Sequence, residues 1–150
     1  MRTEAVALML VGLAVVASGR SRVDFTGTWV LDVTKSNLGN GGGEVQSTIL
    51  NVQQEGNRLS ILEVIGRKDG KTLACRNLVL DHAVPARAGM DLVSARHAGR
   101  SIRIRSTQER HLISLEEWRM SGDSAKLLIT IKRPHSVQRL VFKYAQSAPE

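Results

Sequence analysis

Turn signals recur along this sequence about every eight to twelve residues, and that spacing constrains the fold more than any other feature. The segments between the turns are short, apolar and rich in Val, Ile, Leu and Thr. No stretch keeps helical periodicity over several turns. Residues 55–57 (Glu-Gly-Asn) and 69–71 (Asp-Gly-Lys) tolerate the positive φ angles of tight hairpins. The sequence therefore predicts an all-β chain folded as an antiparallel up-and-down meander.

The pattern predicts nine strands. They are expected at residues 28–33, 45–54, 59–65, 72–80, 91–98, 101–106, 112–120, 126–133 and 137–145. One connector, at residues 81–90, carries Pro85 and Gly89 without a strand pattern, which predicts an irregular loop. Because a meander of this size leaves two exposed edges unless it closes, we expect a small barrel of about eight to ten strands.

The start of the chain has the character of a secretory leader. A short segment with Arg2 precedes an apolar run over residues 5–17, and small residues end the run. The run has about 13 residues, whereas a transmembrane helix needs about 20. We expect a signal peptide at residues 1–19 and a single mature domain at residues 20–150, exported to the periplasm or secreted. Since no Cys lies near the expected cleavage point, we expect neither a lipid anchor nor stable membrane insertion.

The chain is strongly basic, with a net charge of +7. This charge favours an anionic partner, and export makes nucleic acid an unsuitable one, which leaves an anionic envelope surface or an acidic small molecule. The densest basic patch comprises Arg100, Arg103 and Arg105. On a strand, Arg103 and Arg105 share one face about 7 Å apart, which suits two neighbouring phosphates or carboxylates. The alternative is that these arginines only solubilise the surface.

Signals for catalysis, metals and cofactors are weak. The single Cys75 excludes an intrachain disulfide, and no Gly-x-Ser-x-Gly motif is present. The histidines have no spacing that would place two on one face; they are His82, His97, His111 and His135. We therefore predict no metal site, no cofactor and no catalytic residue. An enzyme remains an alternative if Glu116 and His111 act as acid and base.

One parity of the strand at residues 112–120 combines apolar side chains with a carboxylate. If this face is inward, Glu116 lies beside Trp118 as a desolvated acid that needs a partner, supplied by an arginine or a ligand. The alternative places both Glu116 and Glu117 in solvent. Together with the last strand, this face predicts the ligand-binding residues Leu112, Glu116, Trp118, Phe142 and Tyr144.

Phe25, Thr26, Gly27, Thr28, Trp29 and Leu31 together resemble the opening strand of the calycins, the lipocalins and fatty-acid-binding proteins, which carries a Gly-x-Trp motif. Later features follow a similar order, ending in a last strand with Phe-Lys-Tyr at residues 142–144. The chain most resembles exported bacterial lipocalin-like proteins of unassigned function, whose Gly-Thr-Trp start is often followed by Lys-Ser, as at residues 35–36. This resemblance implies a lipocalin-like barrel that holds a small apolar or amphipathic molecule.

The departures from these families limit what carries over. Fatty-acid-binding proteins hold the ligand carboxylate with an Arg-x-Tyr in the last strand, and the similar positions here are Phe142 and Tyr144, so the arginine is missing. The link at residues 37–44 is too short for their helical lid, which implies a more open mouth. In lipocalins the side chain of a basic residue in the last strand lies across the tryptophan of the Gly-x-Trp motif. That resemblance predicts a structural motif of Gly27, Trp29 and Arg139.

Three functions are therefore open. The first is an exported binding protein with a small ligand inside the barrel. The second is an interaction or structural protein of the cell envelope whose basic outer face contacts anionic surfaces. The third is a small-barrel isomerase or hydrolase.

Overall fold

A computed structural model describes residues 22–40, 42–82 and 92–145. The described part consists of nine strands and two 3-10 helices at Val33–Lys35 and Gly42–Glu44. The strands are β1 (Gly27–Leu31), β2 (Val45–Glu55), β3 (Arg58–Arg67), β4 (Gly70–Val79), β5 (Leu92–Ala98), β6 (Ser101–Gln108), β7 (His111–Met120), β8 (Lys126–Arg133) and β9 (Ser136–Tyr144). All nine predicted strands are confirmed, with ends that differ by at most two residues.

Two predictions fall outside the described residues. These are the signal peptide at residues 1–19 and most of the connector at residues 81–90. Among the residues that are described, no helix is long and apolar enough to cross a lipid bilayer.

The strands form one sheet in the order β4-β3-β2-β1-β9-β8-β7-β6-β5, and neighbours pair antiparallel. The first and last strands meet, with Trp29 opposite Tyr144 and Leu31 opposite Phe142. Hairpins supply the other pairings, and Gly56 has the positive φ of 58° that the tight β2–β3 turn requires. The predicted meander is confirmed, and it curls into a nearly closed barrel.

The boundary between β4 and β5, here called the seam, is where closure is incomplete. A single parallel bridge joins Leu80 to Ala95, and the Asp81 amide donates to the Ala95 carbonyl at 2.9 Å. With an odd number of strands in the meander, the two edge strands run in the same direction, so no hairpin can join them. The Asp81 carboxylate accepts the His97 amide at 2.8 Å and lies 2.7 Å from Nδ1 of its ring, which holds the end of β4 against β5.

One end of the barrel is filled by a floor of aromatic side chains: Phe25, Trp29 and Trp118. All three are buried, and the edge of the Phe25 ring packs against Trp118 with centroids 6.2 Å apart. Trp29 Nε1 donates to the Phe25 carbonyl at 3.0 Å, while the Gln54 side chain accepts the Phe25 amide at 3.1 Å. Each such ring contributes about 1.5–3 kcal/mol of burial free energy, so this end of the barrel is the stable core.

The Gly-x-Trp motif needs its glycine because an aromatic ring from the last strand packs against that position. Gly27 has a φ of +150°, and a Cβ there would lie 2.5 Å from Cε2 of Tyr144. The Tyr144 ring also packs edge-on against Trp29 at 5.2 Å. The prediction that Arg139 crosses Trp29 is wrong, because Arg139 is exposed on the outer face and its backbone pairs with Asn37. Residues 139 and 144 have opposite parity along β9, so Tyr144 fills the place expected for the arginine.

Candidate ligand cavity

Above the floor, apolar side chains do not fill the barrel, and a cavity of about 470 Å³ remains. Its mouth lies at the end that carries the β3–β4 and β8–β9 turns, where Arg67 and Arg133 line it. The apolar wall includes Leu31, Leu50, Ile129, Ile131, Leu140 and Phe142. A volume of this size falls within the range of about 300–1,000 Å³ found for small-molecule sites.

A partly buried ion pair lies at the junction of floor and cavity. Arg76 Nη1 donates to Glu116 Oε1 at 2.7 Å, and Nη2 donates to Oε2 at 3.3 Å. Trp118 Nε1 donates to the same carboxylate at 3.0 Å. Glu116 is only 8% exposed, so the alternative with both glutamates in solvent is wrong, and the expected arginine partner is Arg76. Charge-assisted bonds of this bidentate kind fix both geometry and orientation.

The ion pair crosses the interior beside the seam. Arg76 lies on the edge strand β4, and Glu116 lies on β7, the third strand in from the other edge. The pair therefore joins the two sides of the seam from within, where the backbones are held by one bridge. Sequence reasoning missed Arg76. The available signal was its parity on β4, which matches that of the buried Leu78.

A second carboxylate, Glu63, lines the same cavity from β3. Burial raises the pKa of Glu63; the nearby Arg76 acts to lower that pKa, and Glu116 acts to raise it further. None of the described residues donates a hydrogen bond to its carboxylate. Sequence reasoning also missed Glu63, although its parity matches that of the buried Leu59 and Ile61. Glu63, Arg76 and Glu116 together are called the polar cluster below.

The structure brings only part of the predicted lining together. Glu116, Trp118 and Phe142 line the cavity, whereas Leu112 and Tyr144 do not. Leu112 is 43% exposed because a β-bulge between β6 and β7 reverses the alternation, so that it shares the outer face with Leu115. Tyr144 is 51% exposed at the floor end, where it covers Gly27 and Trp29.

The predicted basic patch is partly assembled on the outer face. Arg103 and Arg105 lie on one face of β6, and Arg96 of β5 lies directly opposite Arg103. They line a shallow groove of about 720 Å³, and Arg103 Nε lies 3.9 Å from Glu117 Oε2. Arg100 is not part of this groove, because it lies in the β5–β6 turn and lines a separate cleft near the floor.

The residues expected for acid and base chemistry are apart. Glu116 is buried inside the barrel in its ion pair, while His111 is exposed at the start of β7. Over residues 22–40, 42–82 and 92–145, no group of three or more His, Cys, Asp or Glu side chains is arranged to hold a metal ion.

Comparison with known proteins identifies the fold and not a sequence family. No protein-family model matches the chain, and no curated protein gives a significant match. The crystal structure of the fluorescent protein UnaG is similar, with a TM-score of 0.64 and 15% identity over 81% of this chain and 97% of that one. The REP1-NXSQ fatty acid transporter has a TM-score of 0.55 and 11% identity over 82% of this chain and 97% of its own. Human cRBP IV has a TM-score of 0.53 and 12% identity over 82% and 99%, respectively. The fold is that of the fatty-acid-binding and lipocalin-type calycins, as the opening motif indicates.

Proposed function

We propose that this protein binds a small apolar or amphipathic molecule inside its barrel. The observation that carries the proposal is the incompletely filled interior, a cavity of about 470 Å³ with apolar walls and a few buried polar groups. This combination is typical of ligand sites. One structural neighbour is a fatty acid transporter, which supports the same reading. We propose no enzymatic activity, since two of the neighbours named above are a fluorescent protein and a fatty acid transporter, and His111 lies apart from Glu116.

We also propose that the protein acts after export, in the periplasm or outside the cell. The support is the apolar leader at residues 1–19, which ends shortly before the floor begins at residue 25. Expression of the full chain should yield an exported product that begins near residue 20, as measured by intact mass. A product that keeps residues 1–19 inside the cell would contradict export without bearing on the cavity.

Native mass spectrometry of the exported product tests binding directly. A retained small-molecule adduct would support the proposal and give the mass of the ligand. Ile131→Trp fills the cavity from β8, whereas Thr130→Trp places the same ring on the outer face of the same strand. We expect Ile131→Trp to lose the adduct and Thr130→Trp to keep it. Equal retention by both variants would place the ligand outside the barrel.

A second candidate function rests on the groove formed by Arg96, Arg103 and Arg105. We propose that this outer face contacts an anionic envelope surface, because three guanidinium groups converge on two neighbouring strands. Co-sedimentation with vesicles of phosphatidylglycerol, against phosphatidylcholine, measures the contact. We expect Arg103→Gln with Arg105→Gln to weaken it about tenfold, and high salt to abolish it.

A matched control for this surface removes two charges elsewhere, at Lys68 and Lys71 near the β3–β4 turn. If the double lysine-to-glutamine variant weakens binding as much as the arginine variant, net charge alone accounts for the attraction and the groove is not a specific surface.

A further inference from the structure

The polar cluster offers a ligand little that would attract an anion. Glu116 already accepts one hydrogen bond from each terminal nitrogen of Arg76, at 2.7 and 3.3 Å. A ligand carboxylate that displaced Glu116 from this guanidinium would leave the Glu116 carboxylate 8% exposed with one bond from Trp118. Breaking a buried pair in this way is strongly unfavourable. The bidentate face of this arginine is therefore taken by the protein.

Glu63 is in the opposite situation. Its side chain lines the cavity beside Arg76 and Glu116, and no described residue donates a hydrogen bond to it. A partly buried carboxylate without a donor destabilises the folded protein, and burial raises its pKa. Two carboxylates and one guanidinium make up the cluster, so the unmatched group is an acceptor with negative character.

We propose that the bound molecule is an amphipathic amine, whose protonated nitrogen donates to Glu63 while its apolar part packs against the apolar wall of the cavity. This inference rests on the proposed function, since it names the ligand class of the same site. It also assigns a preference against fatty-acid carboxylates at the inner end of the cavity.

The arginines at the mouth do not alter this preference. Arg67 and Arg133 are exposed; Arg67 lies 4.0 Å from Glu44, and Arg133 donates to Gln138 at 2.9 Å. Exposed charges of this kind are screened by water and salt, so they contribute less than a partly buried carboxylate to the choice of ligand.

Three probes of equal chain length test the preference by isothermal titration calorimetry: dodecylamine, dodecanol and dodecanoate. Each is used at pH 7, below its aggregation concentration, with the exported product of the full chain. We expect dodecylamine to bind about tenfold more tightly than dodecanoate, with dodecanol between them. The net charge of +7 attracts the anion, so a preference for the amine cannot come from the overall field of the protein.

Two variants locate the preference. Glu63→Gln removes the charge of the unmatched carboxylate, and Glu117→Gln removes one charge from the outer face of β7 as a matched control. We expect Glu63→Gln to bring amine and carboxylate to within about twofold of each other, with dodecanol affinity unchanged. Glu117→Gln should keep the tenfold preference.

Each result decides the question. Dodecanoate that binds as well as dodecylamine would overturn the amine inference while leaving the binding barrel in place. An amine preference that survives Glu63→Gln would overturn the role of Glu63. Failure of all three probes to bind would overturn the proposed function, and this inference with it.

Discussion

Arg76→Met is the substitution whose effect on stability follows most directly from the structure. It removes two hydrogen bonds and leaves the Glu116 carboxylate 8% exposed with only the Trp118 donor. Breaking a fully buried pair costs about 3–5 kcal/mol. The Arg76 side chain is 30% exposed and the Glu116 side chain 11%, so the loss should be smaller. We expect the free energy of unfolding to fall by about 2–3 kcal/mol.

Urea unfolding followed by tryptophan fluorescence measures this loss, and the corresponding fall in Tm is roughly 10 °C. Arg119→Met is the matched control, because Arg119 is exposed on the outer face of β7, the strand that carries Glu116. That control should change stability by less than about 0.5 kcal/mol. Adding Glu116→Gln to Arg76→Met removes the uncompensated charge and keeps an acceptor for Trp118. We expect it to restore at least half of the lost stability.

Two results would refute this reasoning. If Arg76→Met costs no more than Arg119→Met, the ion pair does not hold the two sides of the seam together. If the double variant is as unstable as the sum of the two single variants, the energetic cost does not arise from an unpaired carboxylate at Glu116.

Three further predictions concern pH and packing. The pKa of Glu63 is raised in the folded protein, so stability is lost as pH rises through the ordinary pKa of a glutamate, about 4.5. Glu63→Gln should therefore stabilise the protein at pH 7 but not at pH 3, as measured by urea unfolding. Lys143, whose Nζ lies 2.8 Å from Asp32 Oδ2, and the Thr34 hydroxyl, which donates to Oδ1, together lower the pKa of Asp32 to about 2. Its contribution is present above about pH 4 and lost as pH falls towards 2, so Asp32→Asn should flatten the acid limb of the stability curve, and an unchanged limb would contradict this. Gly27→Ala should lower stability by about 2 kcal/mol through contact with the Tyr144 ring and its positive φ, with a smaller loss when Tyr144→Ala is present.

The strands could be predicted from the sequence because they depend on local signals, and closure could be predicted because an open meander of this size would leave two exposed edges. Turn residues mark the hairpins, and the alternation of Ile102 and Ile104 with Arg103 and Arg105 shows which face is buried. The Gly-x-Trp motif indicated the fold type, although the resemblance implied Arg139 across Trp29 and the structure has the Tyr144 ring there.

The polar cluster could not be predicted from the same signals. Arg76 and Glu116 are 40 residues apart, and they meet only because the sheet curls until β4 approaches the strands beyond the seam. Parity alone places each side chain inside the barrel without saying which polar groups face one another. Leu112 was assigned to the wrong face for a related reason, because it lies before the extra residue at the bulge, where the alternation is reversed relative to Glu116 and Trp118.

The pairing of β1 with β9 makes the first strand dependent on the last. Trp29 meets Tyr144 only after all nine strands have been synthesised, and the closing contact joins residues more than a hundred positions apart. Contacts of such high sequence separation form slowly. Because β9 supplies the closing contact, the barrel also cannot close before β9 has left the ribosome. The barrel therefore stays open until β9 has been synthesised, and a chain without β9 would expose unpaired edges on β1 and β8, which favour aggregation.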